Sequence, residues 1–227
     1  QLKQAAILSG RTQEDIRLIA VSKTKSTEMI LQALAAGQSA FGENRVQEAL
    51  GKIEDLTKLP LVEWHLIGHL QKNKVKFCPG NFQWIHTIDS TELVKKLEAR
   101  SAFAQKKINV LLQVNLSREI TKSGLHDWED ILQVSETILS GKWLKLRGLM
   151  TIPPPNIGET PTRKIYEKLR LWRDKLKQDL DSPEISELSM GMTADFHWAI
   201  QEGATMIRVG SAIFGERNED MDSSTNM

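Results

Sequence analysis

The sequence predicts an α/β fold of one kind, a single (β/α)8 TIM-type barrel, on three observations. Eight short apolar segments rich in β-branched residues recur from one end of the chain to the other, and the stretches between them carry helical periodicity. The first segment runs into Val21-Ser22-Lys23-Thr24-Lys25 with no glycine, whereas an open doubly wound sheet usually shows a glycine-rich nucleotide turn at that point. At 227 residues the chain has the size of one such barrel.

In order, the strands are expected at 17–23, 39–42, 62–68, 84–89, 108–116, 145–152, 185–190 and 205–209. Val110-Leu111-Leu112-Gln113-Val114 is almost continuously apolar, as a parallel strand covered on both faces should be. Ile165, Leu169, Trp172, Leu176 and Leu180 give the clearest helical stripe. The basic residues beside it, from Arg163 to Lys177, are interrupted by Glu167 and Asp174 and read as a solvated outer face rather than a nucleic-acid surface. Ser26 and Asp89-Ser90-Thr91 stand where helices should begin, and Gly37 and Gly203 where they should stop. Ile152-Pro153-Pro154-Pro155-Asn156-Ile157-Gly158 is a rigid loop after the sixth strand, at the barrel mouth. Residues 1–217 are expected to form the one barrel domain and 218–227 a polar, disordered tail.

Composition narrows the function classes. Lys and Arg total 30 against 29 acidic residues, so no net field draws nucleic acid or an anionic membrane, and neither is expected as a partner. The single cysteine, Cys78, excludes an internal disulfide and a cysteine-based zinc cluster; it reads as a small buried hydrophobe in a reducing compartment. No apolar run approaches the roughly 20 residues a membrane span needs. The opening Gln-Leu-Lys-Gln-Ala-Ala lacks a signal peptide's apolar stretch, so a cytoplasmic protein is expected.

In barrels of this class, function gathers at the C-terminal ends of the strands, and phosphate is often held after strands seven and eight. Lys23 closes the first strand. It is either a rim lysine that snorkels to solvent or a lysine whose pKa burial depresses, ready to form an imine. Thr193 is expected to cap a helix over 194–201, with Gly191 before it letting the backbone approach a ligand; Gly210-Ser211 opens the final segment in the same way. Side by side, the two turns would present amides, hydroxyls and positive helix ends to one phosphate. Arg208 lies between Ile207 and Val209 and points into the barrel if those two pack outward. Its acceptor there is either a carboxylate from a neighbouring strand or the ring nitrogen of a cofactor. His65 and His69 have the spacing of a zinc pair, but Gly68 and the strand context oppose the helix such a pair needs, and no metal site is expected.

Five segments then carry a resemblance: Ala20-Val21-Ser22-Lys23-Thr24-Lys25, Phe41-Gly42-Glu43-Asn44, Trp64-His65-Leu66-Ile67-Gly68-His69-Leu70-Gln71-Lys72-Asn73-Lys74, Ser189-Met190-Gly191-Met192-Thr193-Ala194-Asp195-Phe196 and Ile207-Arg208-Val209-Gly210-Ser211-Ala212-Ile213-Phe214-Gly215. The chain resembles the pyridoxal phosphate homeostasis proteins, which are similar to the N-terminal barrel of alanine racemase, a fold-type III pyridoxal-phosphate domain, without its C-terminal β-domain. The resemblance implies pyridoxal 5'-phosphate as cofactor, a Schiff base on Lys23, phosphate held by Thr193, Gly210 and Ser211, and Arg208 facing the pyridine nitrogen, with Asn44, His65 and Met190 lining the rest. Thr193 stands where many relatives have serine and keeps the hydroxyl; Arg45 stands where many have tyrosine and alters the rim.

The function implied is vitamin B6 homeostasis: holding, buffering and delivering the cofactor, with transient contacts to apoenzymes or regulatory proteins. A low-activity amino-acid racemase and a regulatory scaffold are the alternatives. Against the racemase, an arginine cannot give up its proton and leaves the ring a poor electron sink. Two-base racemisation also needs a second acid–base group. In alanine racemase that group is a tyrosine from the partner's β-domain, whereas the only tyrosine here, Tyr166, lies in a helical pattern. Without that dimer-building domain a monomer is expected.

Overall fold

The computed structural model describes residues 1–57, 59, 62–117, 119 and 123–215; the tail expected over 218–227 lies outside the described residues. Eight parallel strands close on themselves in sequence order: β1 (Arg17–Val21), β2 (Ala40–Glu43), β3 (Glu63–Leu66), β4 (Trp84–Ile88), β5 (Ile108–Gln113), β6 (Leu144–Met150), β7 (Glu187–Met192) and β8 (Met206–Val209). Closure is made by β1 on β8, with Arg17 opposite Met206 and Ala20 opposite Val209. All eight fall on segments the apolar pattern marks. The expected fifth strand ends early, at Gln113; Val114 still donates its N–H to Met150 O (2.8 Å) but forms only an isolated bridge, with Leu125.

The helices are α1 (Leu2–Leu8), α2 (Thr27–Ala35), α3 (Val46–Asp55), α4 (Thr91–Ala104), α5 (Trp128–Leu139), α6 (Glu159–Asp179), α7 (Phe196–Gln201) and α8 (Ser211–Phe214). Ser26 and Ser90 cap α2 and α4, accepting from the backbone N–H of Met29 and Leu93. Gly37 and Gly203 follow the ends of α2 and α7 with φ of +94° and +97°, the left-handed conformation that stops a helix. Two features depart from the regular βα pattern. α1 precedes the first strand. Between β3 and β4 only a 3-10 turn forms, Val75–Phe77, because Pro79 cannot donate to a continuing helix and Gly80 turns back at φ +89°. Among the described residues no helix is long and apolar enough to cross a membrane.

Strand alternation sorts the side chains into two layers. Outward residues such as Leu66, Val110, Leu112, Leu188 and Ile207 pack under the helices in one large core with Leu97, Ile131, Leu169 and Ile200. Each such burial stabilises by about 1.5–3 kcal/mol. Cys78 is part of this layer, and burial pushes its thiol up to about 12, so it behaves as the small hydrophobe the sequence suggests. Inside the barrel a smaller group, Ile19, Ala40, Trp84, Leu111, Met150 and Met206, fills the lower part. Above and beside it the interior turns polar, with His65, His86, Ser189 and Arg208 all buried.

Two outcomes follow from this packing. A β-carbon at Gly148 would stand 1.9 Å from the Glu187 carbonyl oxygen across the β6–β7 pair. Gly148→Ala must force the two strands apart and should cost about 2–4 kcal/mol, a fall in Tm of roughly 5–15 °C by calorimetry. Burial also lowers the pKa of both His65 and His86 below the ordinary 6.5, with His86 depressed furthest. The unfolded chain therefore binds protons that the folded barrel refuses. The stability owed to neutral rings is present above about pH 6.5 and is lost as pH falls toward the folded-state values, by up to about 2 kcal/mol per ring at pH 5. Urea unfolding at pH 7.5 and 5 should show that drop, and a smaller one in His86→Phe.

Candidate binding site at the barrel mouth

A cavity of about 320 Å³ opens at the C-terminal ends of the strands, at the small end of the range of ligand pockets. Val21, Lys23, Thr24 and Lys25 line it from the end of β1, Asn44 and Ile67 from the ends of β2 and β3, and Ile152 from beyond β6. Met192 and Thr193 come from the end of β7, and Arg208, Gly210, Ser211 and Gly215 from β8 and the turn after it. Of the residues singled out in the sequence, the mouth brings together Lys23, Asn44, Thr193, Arg208, Gly210 and Ser211. It does not bring His65 or Met190.

Lys23 sits between two residues fastened to other elements. Ser22 donates its N–H to Gly42 O (3.0 Å) and its hydroxyl to Glu43 Oε1 (2.6 Å), while its carbonyl accepts from Lys52 Nζ (2.8 Å). Thr24, in the left-handed region at φ +61°, donates its N–H to Glu48 Oε1. Lys52, on α3, also reaches Glu43 Oε1 and Glu48 Oε1, both at 2.8 Å. Glu43 is fully buried, and burial raises its pKa against the opposing pull of Lys52 and Ser22. The backbone carrying Lys23 is thus held by a buried ion pair whose desolvation cost is offset by the hydrogen bonds that meet at Glu43 Oε1 and the Ser22 carbonyl. Across the mouth, Lys25 Nζ donates to the carbonyls of Phe214 (3.2 Å) and Gly215 (3.4 Å).

The turn after β7 differs from expectation. Thr193 does not cap the helix, which begins at Phe196 rather than at residue 194. Asp195 stands at the N-cap position, but its side chain turns away from the helix: Oδ1 accepts from Met192 N–H (2.6 Å) and its own N–H returns to Met192 O (3.1 Å), closing a turn over residues 192–195. The Thr193 hydroxyl is left at the mouth, where Ser211 Oγ donates to it at 3.3 Å across the gap between the two turns. Gly191 also has a reason other than the expected one. Its φ is +93°, and a β-carbon would lie 2.6 Å from Ala199 Cβ, so the packing of α7 itself requires glycine here.

Arg208 points into the barrel, as the outward packing of Ile207 and Val209 requires. Among the described residues no carboxylate forms a salt bridge with it. Nη1 donates to Ser189 Oγ (2.6 Å) and Nη2 to the Thr151 carbonyl (3.0 Å). Burial lowers its pKa, with Tyr166 and Asp195 opposing. His65 lies lower in the interior, because the inward positions of β3 run Glu63, His65, Ile67 and the last of these reaches the mouth. Its ring bonds Glu63 and His86 and stacks on Trp84. Met190 is buried in the outer layer under the helices; an irregularity in the β7–β8 pairing between Ser189 and Met192 turns Met192 toward the cavity in its place. His69 is exposed and faces Asp89 at 3.7 Å, and among the described residues no three potential metal ligands converge. Arg45 is exposed at the start of α3.

Sequence reasoning missed the Lys52–Glu43–Ser22 network and the roles of Thr151, Ser189 and His86. A partial signal existed in Glu43, a carboxylate ending an otherwise apolar strand, which asks for a buried partner.

The match to known proteins extends over nearly all of the chain. Residues 3–218 fit the family model of the alanine racemase N-terminal domain. A pyridoxal phosphate homeostasis protein of Vibrio alginolyticus is 44% identical over 212 residues, 92% of this chain and 90% of that one. Its counterpart in Pasteurella multocida is 41% identical over 219 residues, 96% and 93% of the two chains. Among solved structures, PipY of Synechococcus elongatus with PLP bound superposes at a TM-score of 0.84, with 37% identity over 95% of this chain and all of that one. Alanine racemase of Clostridium difficile superposes at 0.76 with 16% identity, covering 96% of this chain but 56% of the enzyme, a likeness of fold alone. Fold and relatives agree, and the chain belongs to the pyridoxal phosphate homeostasis proteins, within the family of the alanine racemase N-terminal domain.

Proposed function

We propose that the protein binds pyridoxal 5'-phosphate at the barrel mouth as a Schiff base on Lys23, and holds and hands over the cofactor in vitamin B6 homeostasis. The observation that carries this reading is the set of groups around one small cavity: a lysine on an anchored backbone, two hydroxyls 3.3 Å apart on adjacent turns, and a buried arginine. Each matches one part of the cofactor. The Lys23 amine condenses with the aldehyde and water is released. The hydroxyls of Thr193 and Ser211, with the Gly210 backbone beside them, serve the phosphate, to which hydrogen bonds are charge-assisted and strong. Arg208, which can only donate, serves the ring nitrogen and leaves it unprotonated. Ile67, Ile152 and Met192 offer apolar contact to the ring, and Asn44 a polar edge.

The same cavity favours a holder over a racemase. Among the described residues its titratable groups are Lys23, Lys25 and Arg208, and Lys25 is engaged with the Phe214 and Gly215 carbonyls. Tyr166 is fully buried in α6, and burial with Asp195 nearby raises its pKa above the usual tyrosine range. Among the described residues that line the cavity, no titratable side chain besides Lys23, Lys25 and Arg208 is present. A cytoplasmic location and transient contact with apoenzymes belong to this proposal, the former on the single buried thiol of Cys78.

Adding pyridoxal phosphate to the purified protein should produce a visible absorption band that borohydride removes, with the reduced adduct mapping by mass spectrometry to Lys23. Lys23→Ala should abolish the band and Lys25→Ala retain it. Thr193→Ala should raise the Kd about tenfold or more, the loss of one hydrogen bond to a charged group. An adduct on Lys25 or Lys72 in the wild-type protein would overturn the assignment.

A further inference from the structure

The polar residues inside the barrel form one unbroken line from the opposite rim to the cavity. Glu63 Oε1 is 2.7 Å from His65 Nε2; His65 Nδ1 is 2.9 Å from His86 Nε2; His86 Nδ1 is 2.8 Å from Ser189 Oγ; and Ser189 Oγ is 2.6 Å from Arg208 Nη1. His65, His86 and Ser189 are fully buried and Arg208 nearly so, while Glu63 stands at the N-terminal rim, about one-third exposed, paired with Arg17 at 3.1 Å.

The two ends determine every hydrogen in between. An arginine has donors only and a carboxylate acceptors only. Arg208 must therefore donate to Ser189 Oγ, and the Ser189 hydroxyl hydrogen, with no other partner, goes to His86 Nδ1. His86 then carries its proton on Nε2 and donates to His65 Nδ1, and His65 carries its own on Nε2 and donates to Glu63. Four hydrogen bonds run in one direction with both imidazoles neutral, which agrees with the downward pKa shifts of His65 and His86. Reversing the order would put a cation on His65 in a fully buried position and leave the Ser189 hydroxyl without an acceptor, each a cost of several kcal/mol or close to it.

We propose that Glu63, His65, His86 and Ser189 are positioning residues for Arg208: the rim carboxylate sets the tautomer of both imidazoles, and these turn the Ser189 hydroxyl so that its oxygen receives the Arg208 guanidinium and orients it to the cavity. The relay as such needs no cofactor. Its effect on a bound ligand rests on the reading of the mouth as a pyridoxal phosphate site, with Arg208 at the ring nitrogen.

Nitrogen-15 NMR of the cofactor-free protein tests the relay first. At pH 7.5 both imidazoles should appear as the Nε2–H tautomer. Glu63→Met should shift His65 and His86 to mixed or reversed tautomers and move the side-chain nitrogen signals of Arg208. Arg17→Met, which breaks the rim ion pair and leaves the relay whole, should move none of them. Ser189→Ala, a smaller change in the middle of the line, should move the Arg208 signals and leave the His65–Glu63 bond in place. Added pyridoxal phosphate then supplies the second readout: its visible band should shift in Glu63→Met and Ser189→Ala and stay unchanged in Arg17→Met. An Nδ1–H tautomer in the wild-type protein, or Arg208 signals indifferent to Glu63→Met, would overturn the proposal. Altered tautomers with an unchanged band would overturn its link to the cavity. Loss of the band in every variant and in the wild type would count against the mouth assignment alone, since the cofactor-free spectra decide the relay independently.

Discussion

A guanidinium inside a closed barrel constrains everything around it. Arg208 brings five donors and no acceptor into an interior whose partners can come only from inward-facing strand positions. Leaving such a charge unsatisfied costs several kcal/mol, comparable to the whole net stability of a domain. Among the described residues no carboxylate pairs with it directly, and it donates to Ser189 Oγ and the Thr151 carbonyl. Ser189 must then pass its hydrogen on, and the demand moves down through His86 and His65 until it meets a carboxylate at the rim. Positions that a barrel interior usually fills with Val, Ile or Leu are polar here for that reason. The apolar group of Ile19, Ala40, Trp84, Leu111, Met150 and Met206 fills the volume that remains.

The opposite wall of the cavity solves a different problem. The backbone that carries Lys23 is fixed through its two neighbours in the chain. Ser22 and Thr24 are tied to β2 and α3 through Glu43, Glu48 and Lys52, which converge around the Ser22 carbonyl. One oxygen of Glu43, Oε2, is buried without a hydrogen-bond partner, so this ion pair is strained toward the protonated acid, in line with the raised pKa. A salt-bridged wall and a neutral relay thus face each other across the mouth. They share no residue, and substitutions in one should add to substitutions in the other.

Much of this was legible in the sequence because it depends on local pattern. The eight strands are short apolar runs between turn residues, and Ser26, Ser90, Gly37 and Gly203 mark helix ends by chemistry that acts within a few residues. Lys23, Arg208, Thr193 and Ser211 could be placed at the mouth because strand ends of a barrel converge. What failed was decided by one-residue geometry. The helix after β7 starts at Phe196, and Asp195 before it spends its carboxylate on the Met192 N–H instead of on the helix. Met190 and Met192 would share a face of a regular strand, but the irregular β7–β8 pairing leaves Met190 in the outer layer and turns Met192 to the cavity, and a shift of one residue is enough to do so. His65 was assigned the correct face and the wrong depth. The long-range partners, Lys52 with Glu43 and His86 with Ser189, lie 9 and 103 residues apart and have no periodic signature.

On the proposed reading, a holder must be rigid toward its ligand and still able to release it, and the mouth divides these duties. The walls formed by Lys23, Asn44 and Arg208 are tied into strands, and Gly68 packs so closely on Asn44 that a β-carbon would fall 2.2 Å from its carbonyl oxygen. The turn after β8 is different. Ser211, Ala212 and Ile213 are exposed, and its polar contacts across the cavity include the Lys25 bonds to two carbonyls and one hydroxyl pair with Thr193. Hydrogen bonds of that kind contribute about 0.5–1.5 kcal/mol each, little enough for thermal opening on a fast timescale. Phosphate is proposed to sit on this wall and the aldehyde carbon on the rigid one. Exchange would then begin by loosening the phosphate side while the covalent bond to Lys23 still holds, an order that keeps a reactive aldehyde from leaving before its acceptor is in place.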